Sequence, residues 1–206
     1  MERTDPPHPP SGRPLGYDRD TVLGVALDLL WAGGFEATPI GDLIDAMGLS
    51  RSSFYAAFGS KRGVMLEAIR LYSRRSIAAL EEIAARDKAD RDKLRGMIRA
   101  LAMLDEPRGC FMVNCISEIA RRDMDVRVIA ARHNAVVERL VASMMQDREG
   151  RHDMARALVS FAYGATLLKT TGTPPEEIAA MLDALISVQW NSGTNRKSRC
   201  SEIVEP

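Results

Sequence analysis

The sequence predicts an all-α protein: a small helix-turn-helix unit followed by a larger helical body, about nine helices in all. Three observations lead there. Residues 39–58 read as two short helices joined by a glycine turn. Apolar residues recur at three- and four-residue spacing from residue 17 to residue 190, interrupted by Gly and Pro rather than by β-branched alternation. Aromatic residues are sparse at 5%, while 46% of the 206 residues are hydrophobic, enough for one small module and a larger core.

Taken in order, residues 1–16 are rich in Pro, Gly and charge and are expected to be a disordered arm. An amphipathic helix over 17–35 carries Val22, Val25, Ala26, Leu29 and Leu30 on one stripe and stops at Gly33-Gly34. Thr38 is expected to cap the next helix, with Pro39 in its first turn. Leu43, Ile44 and Met47 seat that helix, Gly48 ends it in the left-handed conformation, and Leu49 turns inward. Ser50 fits the N-cap of the helix that follows, which Phe54 and Phe58, four apart, anchor by one face. Its other face offers Arg51, Ser52, Ser53, Tyr55 and Ala56: a cation, hydroxyls and a small residue, as a helix lying in the major groove of DNA requires.

Further helices are predicted over 61–85, 92–104, 111–120, 125–147, 154–171 and 175–190, with Gly172-Thr173-Pro174 separating the last two. The predicted organisation is a helix-turn-helix unit at 17–62, a second helical domain at 63–190 and a polar tail at 191–206. In the last helix Ile178, Met181, Leu182, Leu185, Ile186 and Trp190 form a broad apolar stripe. In the one before it Ala157, Leu158, Phe161, Ala165 and Leu168 are expected inward, with Ala162 and Gly164 allowing close packing.

Charge excludes some function classes. Lys and Arg balance Asp and Glu at 28 each, so no global basic field supports indiscriminate nucleic-acid binding. No apolar run approaches the roughly 20 residues of a membrane span, and the N-terminus lacks an apolar targeting segment; a cytoplasmic protein is expected. Three cysteines are no disulfide framework. The chain has no Gly-rich phosphate loop and no metal-protease motif, so neither enzyme activity nor a cofactor is expected; Cys110 with His133 is the one pair an enzyme reading could use. A helical interaction module without DNA binding is the other alternative, and the small polar groups from Ser50 to Lys61 speak against it.

From about Gly12 to Tyr72 the chain resembles the DNA-binding domain of the tetracycline-repressor (TetR) family of bacterial transcription regulators. The resemblance rests on residues 26–30, Gly33-Gly34-Phe35-Glu36-Ala37-Thr38, Asp42-Leu43, Ala46-Met47-Gly48-Leu49-Ser50, Ser53-Phe54-Tyr55, and Phe58 with Lys61. It implies that Thr38, Arg51, Ser52, Ser53, Tyr55 and Lys61 contact DNA, and that Arg13, in a Gly-Arg-Pro arm, enters the minor groove. By its chemistry Arg51 suits a bidentate contact to guanine, while Tyr55 and Lys61 suit phosphates. Ser52 and Ala56-Ala57 depart from the family's usual Gly and aromatic or histidine pair, which alters the bases read. The resemblance further implies a homodimer formed through the last two helices, an inverted-repeat operator, and a small-molecule effector that releases a repressor.

Residues 108–115, Arg-Gly-Cys-Phe-Met-Val-Asn-Cys, are the distinctive segment of the second domain. They resemble the Gly-Cys-aliphatic-x-Asn motif of one branch of the family, here Gly-Cys-Phe-x-x-Asn, and make Cys110, Phe111, Met112, Asn114, Cys115 and His133 the candidate effector-sensing residues. Three readings of Cys110 stand side by side. Free cysteines are commonly buried core residues. A thiol at a helix N-terminus has its pKa lowered and becomes reactive. A soft metal site with Cys115 and His133 would need a break in the helix, because residues five apart do not share a face; no metal is assigned.

Overall fold

The computed structural model describes residues 18–102, 105–145 and 148–192, in which nine α-helices and no strands occur. They are α1 (Arg19–Gly33), α2 (Ile40–Ala46), α3 (Arg51–Phe58), α4 (Lys61–Ala84), α5 (Asp90–Leu101), α6 (Phe111–Glu118), α7 (Met124–Ser143), α8 (Arg151–Thr170) and α9 (Pro175–Ser192). Each early boundary has a local cause. The Asp18 carboxylate accepts the N–H groups of Asp20 and Thr21 to start α1. Ser50 accepts the Ser53 N–H at 3.1 Å to start α3, and Ser60 accepts the Gly63 N–H at 3.0 Å to start α4. Gly48 turns the chain between α2 and α3 at φ 62°. Gly63 permits the close turn from α3 into α4, since a Cβ there would run into the Phe58 carbonyl oxygen.

Two hydrophobic clusters form the interior. The first joins α1, α2 and α3 to the first half of α4, with Phe54 and Leu43 sealed from solvent; full burial of such side chains stabilises by about 1.5–3 kcal/mol each. This cluster does not stop at the helix-turn-helix unit. It continues into Cys110, Phe111, Met112 and Cys115 of α6 and its N-cap, and into Val126 and Ala130 of α7. The second cluster joins the far end of α4 (Leu80, Ile83) to α5, α7, α8 and α9. Helix α4 therefore runs through both.

Ion pairs tie the first turn of α4 to the second domain. The Arg62 guanidinium reaches the Asp123 carboxylate at 2.6 and 2.8 Å and Asp125 at 2.6 Å. Asp123 is itself the N-cap of α7, accepting from Asp125 and Val126. Arg19, at the start of α1, reaches Glu67 of α4 at 2.7 Å, donates to the Ala57 carbonyl, and lies 4.6 Å from the centre of the Phe58 ring. It thereby braces the end of α3 from outside the core.

Several expectations need correction. Thr38 does not cap α2: its hydroxyl is turned back to donate to the Gly34 carbonyl at 2.6 Å, it is buried, and Pro39 occupies the cap position without a side-chain bond. Ala157 is exposed, and the inward face of α8 runs instead through Ala155, Leu158, Val159, Ala162 and Ala165. The broad stripe of α9 divides, with Ile178, Leu182 and Ile186 buried while Met181 and Leu185 face outward. Among the described residues no helix is long and apolar enough to cross a membrane.

The α4–α7 clamp yields a pH-dependent prediction. The Arg62 guanidinium, joined by the cap N–H groups, holds the Asp123 carboxyl below the usual carboxylate range. A carboxyl depressed in the folded state adds stability above its unfolded pKa of about 3.9 and loses it as pH falls toward its own lower value. Asp123→Asn keeps a capping oxygen and removes the charge. With Arg62 half exposed, the expected loss at pH 7 is about 1 kcal/mol. Denaturant titrations at pH 7 and pH 3 check it: the difference between the two proteins should close at the lower pH.

Candidate functional site

Helix α3 is short and held from behind. Phe54 and Phe58 are buried with ring centroids 5.9 Å apart, which turns Arg51, Ser52, Tyr55 and Ala56 to the outside. Among the described residues Arg51 makes no hydrogen bond or ion pair, so its guanidinium is uncommitted at the start of the helix. Three serine hydroxyls gather beside it. Ser50 Oγ lies 3.0 Å from Ser52 Oγ and donates to Ser53 Oγ at 2.8 Å. They spend part of their hydrogen-bonding capacity on one another and on the cap, which fixes their positions. Tyr55 is 46% exposed, its ring edge against Phe54 at 5.5 Å.

Lys61 lies at the start of α4, where its Nζ donates to the Glu36 carbonyl at 3.4 Å and sits 4.5 Å from the centre of the Phe35 ring. It bridges α4 to the α1–α2 turn instead of reaching freely into solvent. The structure thus brings Arg51, Ser52, Ser53 and Tyr55 together on α3, sets Lys61 beside the neighbouring turn, and buries Thr38 behind that turn. Arg13 lies outside the described residues.

The same turn is held from the second domain. The two oxygens of Glu118, the last residue of α6, accept the backbone N–H groups of Phe35 (3.0 Å) and Glu36 (2.8 Å). At the other end of α6 the Trp31 indole N–H donates to the Gly109 carbonyl at 3.1 Å, and the Arg108 guanidinium stacks 4.1 Å from the centre of the Trp31 ring. Arg108 also engages Glu106 and Asp28. Asn114 closes the loop by donating to the Arg108 carbonyl at 3.2 Å. The motif at 109–114 therefore has structural work: Gly109 turns at φ 70°, Cys110 caps α6, and Asn114 ties the helix back to the loop.

A cavity of about 340 Å³ opens between α1, α4, α5, α7 and α8. Cys110 and His133 both line it, together with Trp31, Tyr72, Tyr163 and Arg75. Phe111, Asn114 and Cys115 line a second cavity of about 300 Å³ on the other side of Trp31, against the α1–α2 turn and Glu118. Met112 is buried in the core and lines neither cavity. Apart from Met112, the candidate sensing residues are thus divided between two chambers that share Trp31 in their walls. Trp31, Tyr72 and Phe111 pack edge-on or tilted, with centroids 5.4–6.0 Å apart.

The expected lowering of the Cys110 pKa is reversed. Burial pushes the thiol up, and the Tyr72 hydroxyl, 3.2 Å from Sγ, offsets this only in part. Desolvation outweighs the favourable end of a two-turn helix because the charged thiolate has no water. Burial also raises Cys115 to about 12 and lowers His133, bonded through Nδ1 to Ser73 Oγ at 2.9 Å, to about 4. At neutral pH these groups are a thiol, a thiol and a neutral imidazole. Among the described residues no three His, Cys, Asp or Glu side chains gather as a metal site would need.

Sequence reasoning missed Glu118, Arg62 with Asp123, and the cavity residues Trp31, Tyr72, Arg75 and Tyr163. Asp123 carried a usable signal, an acidic residue just ahead of a predicted helix. Glu118, Arg62, Trp31 and Tyr72 pair with residues 38 to 83 positions away, beyond any local pattern.

A short helix presenting an uncommitted arginine and ordered hydroxyls, set at a fixed turn from a second and wired to a cavity-bearing helical body, defines a DNA-binding transcriptional regulator of the helix-turn-helix class. Comparison with known proteins agrees. Residues 22–68 match the family model described as "Bacterial regulatory proteins, tetR family". The chain is 30% identical over 148 residues to the HTH-type transcriptional repressor ComR of Escherichia coli K12, spanning 69% of this chain and 70% of that protein. It is also 26% identical over 128 residues to the repressor BdcR of the same organism, spanning 62% of this chain and 65% of that protein. The chain belongs to the TetR family. Its fold matches the regulator CifR in complex with a 26-base-pair operator (TM-score 0.72, 23% identity, 85% of this chain and 98% of that one). It also matches reduced NemR of E. coli (TM-score 0.71, 18% identity, 80% and 94%). ComR and BdcR are named as transcriptional repressors and CifR as a transcriptional regulator.

The chemistry of this site makes two predictions. Iodoacetamide should label Cys110 in the native protein at pH 7 far more slowly than in denaturant, as followed by mass spectrometry; equal rates would contradict the burial argument. Glu118→Ala should strip the charged acceptor from the Phe35 and Glu36 amides. Hydrogen bonds to a charged group contribute about 1.5–3 kcal/mol, so hydrogen exchange at those two amides should accelerate at least about tenfold.

Proposed function

We propose that the protein is a homodimeric repressor that binds an inverted-repeat operator and is released from it by a small-molecule effector. The observation that carries this reading is the outward face of α3 joined to the α1–α2 turn, which the second domain grips through Glu118. Arg51 reads guanine in the major groove, Ser52 and Ser53 reach base edges or phosphate, and Tyr55 and Lys61 hold phosphates, with Arg13 of the N-terminal arm in the minor groove. Thr38 contributes by fixing the turn that precedes α2, since its hydroxyl is committed to Gly34. The organisation into a DNA-binding unit at 17–62 and an effector domain at 63–190, and membership of the Gly-Cys-Phe-x-x-Asn branch, belong to the same reading. So does a cytoplasmic location.

Dimerisation through α8 and α9 is supported by what these helices leave uncovered. Leu167 is 57%, Met181 42% and Leu185 36% exposed, with Gly164 open to a close neighbour. A second copy would bury this face and set two α3 helices at half-sites about 34–36 Å apart or a multiple. A shift of a few ångströms in their separation then breaks several contacts at once. By linkage, effector and operator weaken each other's binding by the same factor. Sensing through a Cys110 thiolate or a metal at Cys110 draws no support from a thiol that burial keeps protonated.

Footprinting on the DNA upstream of the protein's own coding region tests the proposal. Protection of two symmetric half-sites, relieved by effector, is the expected result; a single half-site protected by a monomer would overturn it. Arg51→Ala should weaken operator binding about five- to 150-fold at fixed salt, corresponding to about 1–3 kcal/mol for a lost base contact. Leu185→Glu should shift the protein to a monomer in sedimentation and abolish the two-site footprint.

A further inference from the structure

We infer that the cavity of about 340 Å³ takes a small monocarboxylate with an apolar body, its carboxylate on Arg75 at the mouth and its body against Tyr72, Leu27 and Leu80. This rests on the reading of the protein as an effector-responsive regulator and gives the effector a chemical class. Three observations carry it. First, the wall is mostly apolar, and its neutral groups Tyr72, Tyr163 and His133 already have partners. Tyr72 pairs with Cys110, Tyr163 donates to Asn134 at 3.1 Å, and His133 pairs with Ser73. An ionised group deep inside would lose its water with no counter-charge in return, and His133, lowered to about 4 by burial, supplies none at neutral pH.

Second, of the two charged residues that line the cavity, one is engaged. Asp28 accepts the Arg108 guanidinium at 3.2 Å, whereas Arg75 makes no hydrogen bond or ion pair among the described residues. Third, the guanidinium has a seat. Gly24 of α1 lies opposite, and a Cβ there would stand 3.4 Å from Arg75 Nη2; the missing side chain lets the charged plane lie along α1 beside the opening. A guanidinium suits one carboxylate in bidentate geometry. The volume is at the small end of ligand sites, roughly 300–1,000 Å³. One anionic end and one short apolar body satisfy the whole lining; a dicarboxylate or a cation does not.

The test uses the full-length protein at pH 7 and titration calorimetry with benzoate, 3-phenylpropanoate and octanoate, each against its primary amide. At least one acid should bind tenfold or more tighter than its amide. Arg75→Gln should abolish that preference while leaving the unfolding temperature unchanged, because the side chain makes no bond. Arg132→Gln, in a separate cleft beyond His133, should leave the preference intact. No binding by any acid, equal binding of acids and amides, or a preference that survives Arg75→Gln or falls with Arg132→Gln would each overturn the inference. Operator binding is measured separately by gel shift. Arg75-dependent acid binding in a protein that binds no DNA would overturn the regulator reading and leave the ligand class standing; operator binding with no acid preference would do the reverse.

Discussion

Helix α4 is the constraint on which the rest of the molecule depends. Its first half buries Val64, Met65, Ala68, Ile69 and Tyr72 in the cluster shared with α1, α2 and α3, and its second half buries Leu80 and Ile83 among the helices of the second domain. A close-packed helix cannot bend gradually to suit both ends, because interiors at crystal-like density resist small distortions. It moves as a unit or stays. Gly63 extends this rigidity to α3 by letting the Phe58 carbonyl press against the start of α4. The position of α3 follows from that of α4.

Two further attachments make the linkage specific. Arg62 holds the first turn of α4 to the N-terminus of α7, and Glu118 holds the α1–α2 turn to the end of α6. Both originate in the short stretch around α6, which also supplies Cys110 to one chamber and Phe111 and Cys115 to the other. Trp31 forms the wall between the chambers and is bonded to Gly109 in the loop that starts α6. An occupant pressing on Trp31 or Tyr72 would act on α1, α4 and the α6 loop together. It changes operator affinity only to the extent that it prefers one arrangement of these helices over another.

The fold was legible in the sequence because its signals are local. Three-and-four apolar spacing, Gly48, Ser50 and the Phe54–Phe58 pair each act within a turn or two of helix, and the structure repeats them with one exception. In α1 Leu23 and Leu27 take the inward places expected of Val25 and Leu29, and Val25 is exposed. Errors came where a local rule met a tertiary competitor. Thr38 satisfies the rule for an N-cap, yet the Gly34 carbonyl offers it a buried partner. Cys110 sits at a helix N-terminus as read, yet the charge effect of an eight-residue helix is outweighed by loss of water. The apolar stripe of α9 was visible, but the spacing could not tell which half meets its own core. The cavity was not legible at all, since its lining comes from six separate segments and its charged residue, Arg75, stands in a run of serines and arginines that reads as ordinary helix surface.

The balance of charge adds a last constraint. With 28 basic and 28 acidic residues the chain has no net attraction to the DNA polyanion, so affinity must come from cations held in the right places. The structure commits many of its arginines internally: Arg19 to Glu67, Arg62 to Asp123, Arg95 to Asp183, Arg108 to Glu106. These pairs brace the helices and neutralise the charges they engage. What remains on α3 is Arg51 among hydroxyls. A helix with one cation gains little from indiscriminate phosphate attraction. Its contribution rests on geometry, on the position of Arg51 that the buried Phe54 and Phe58 fix from behind.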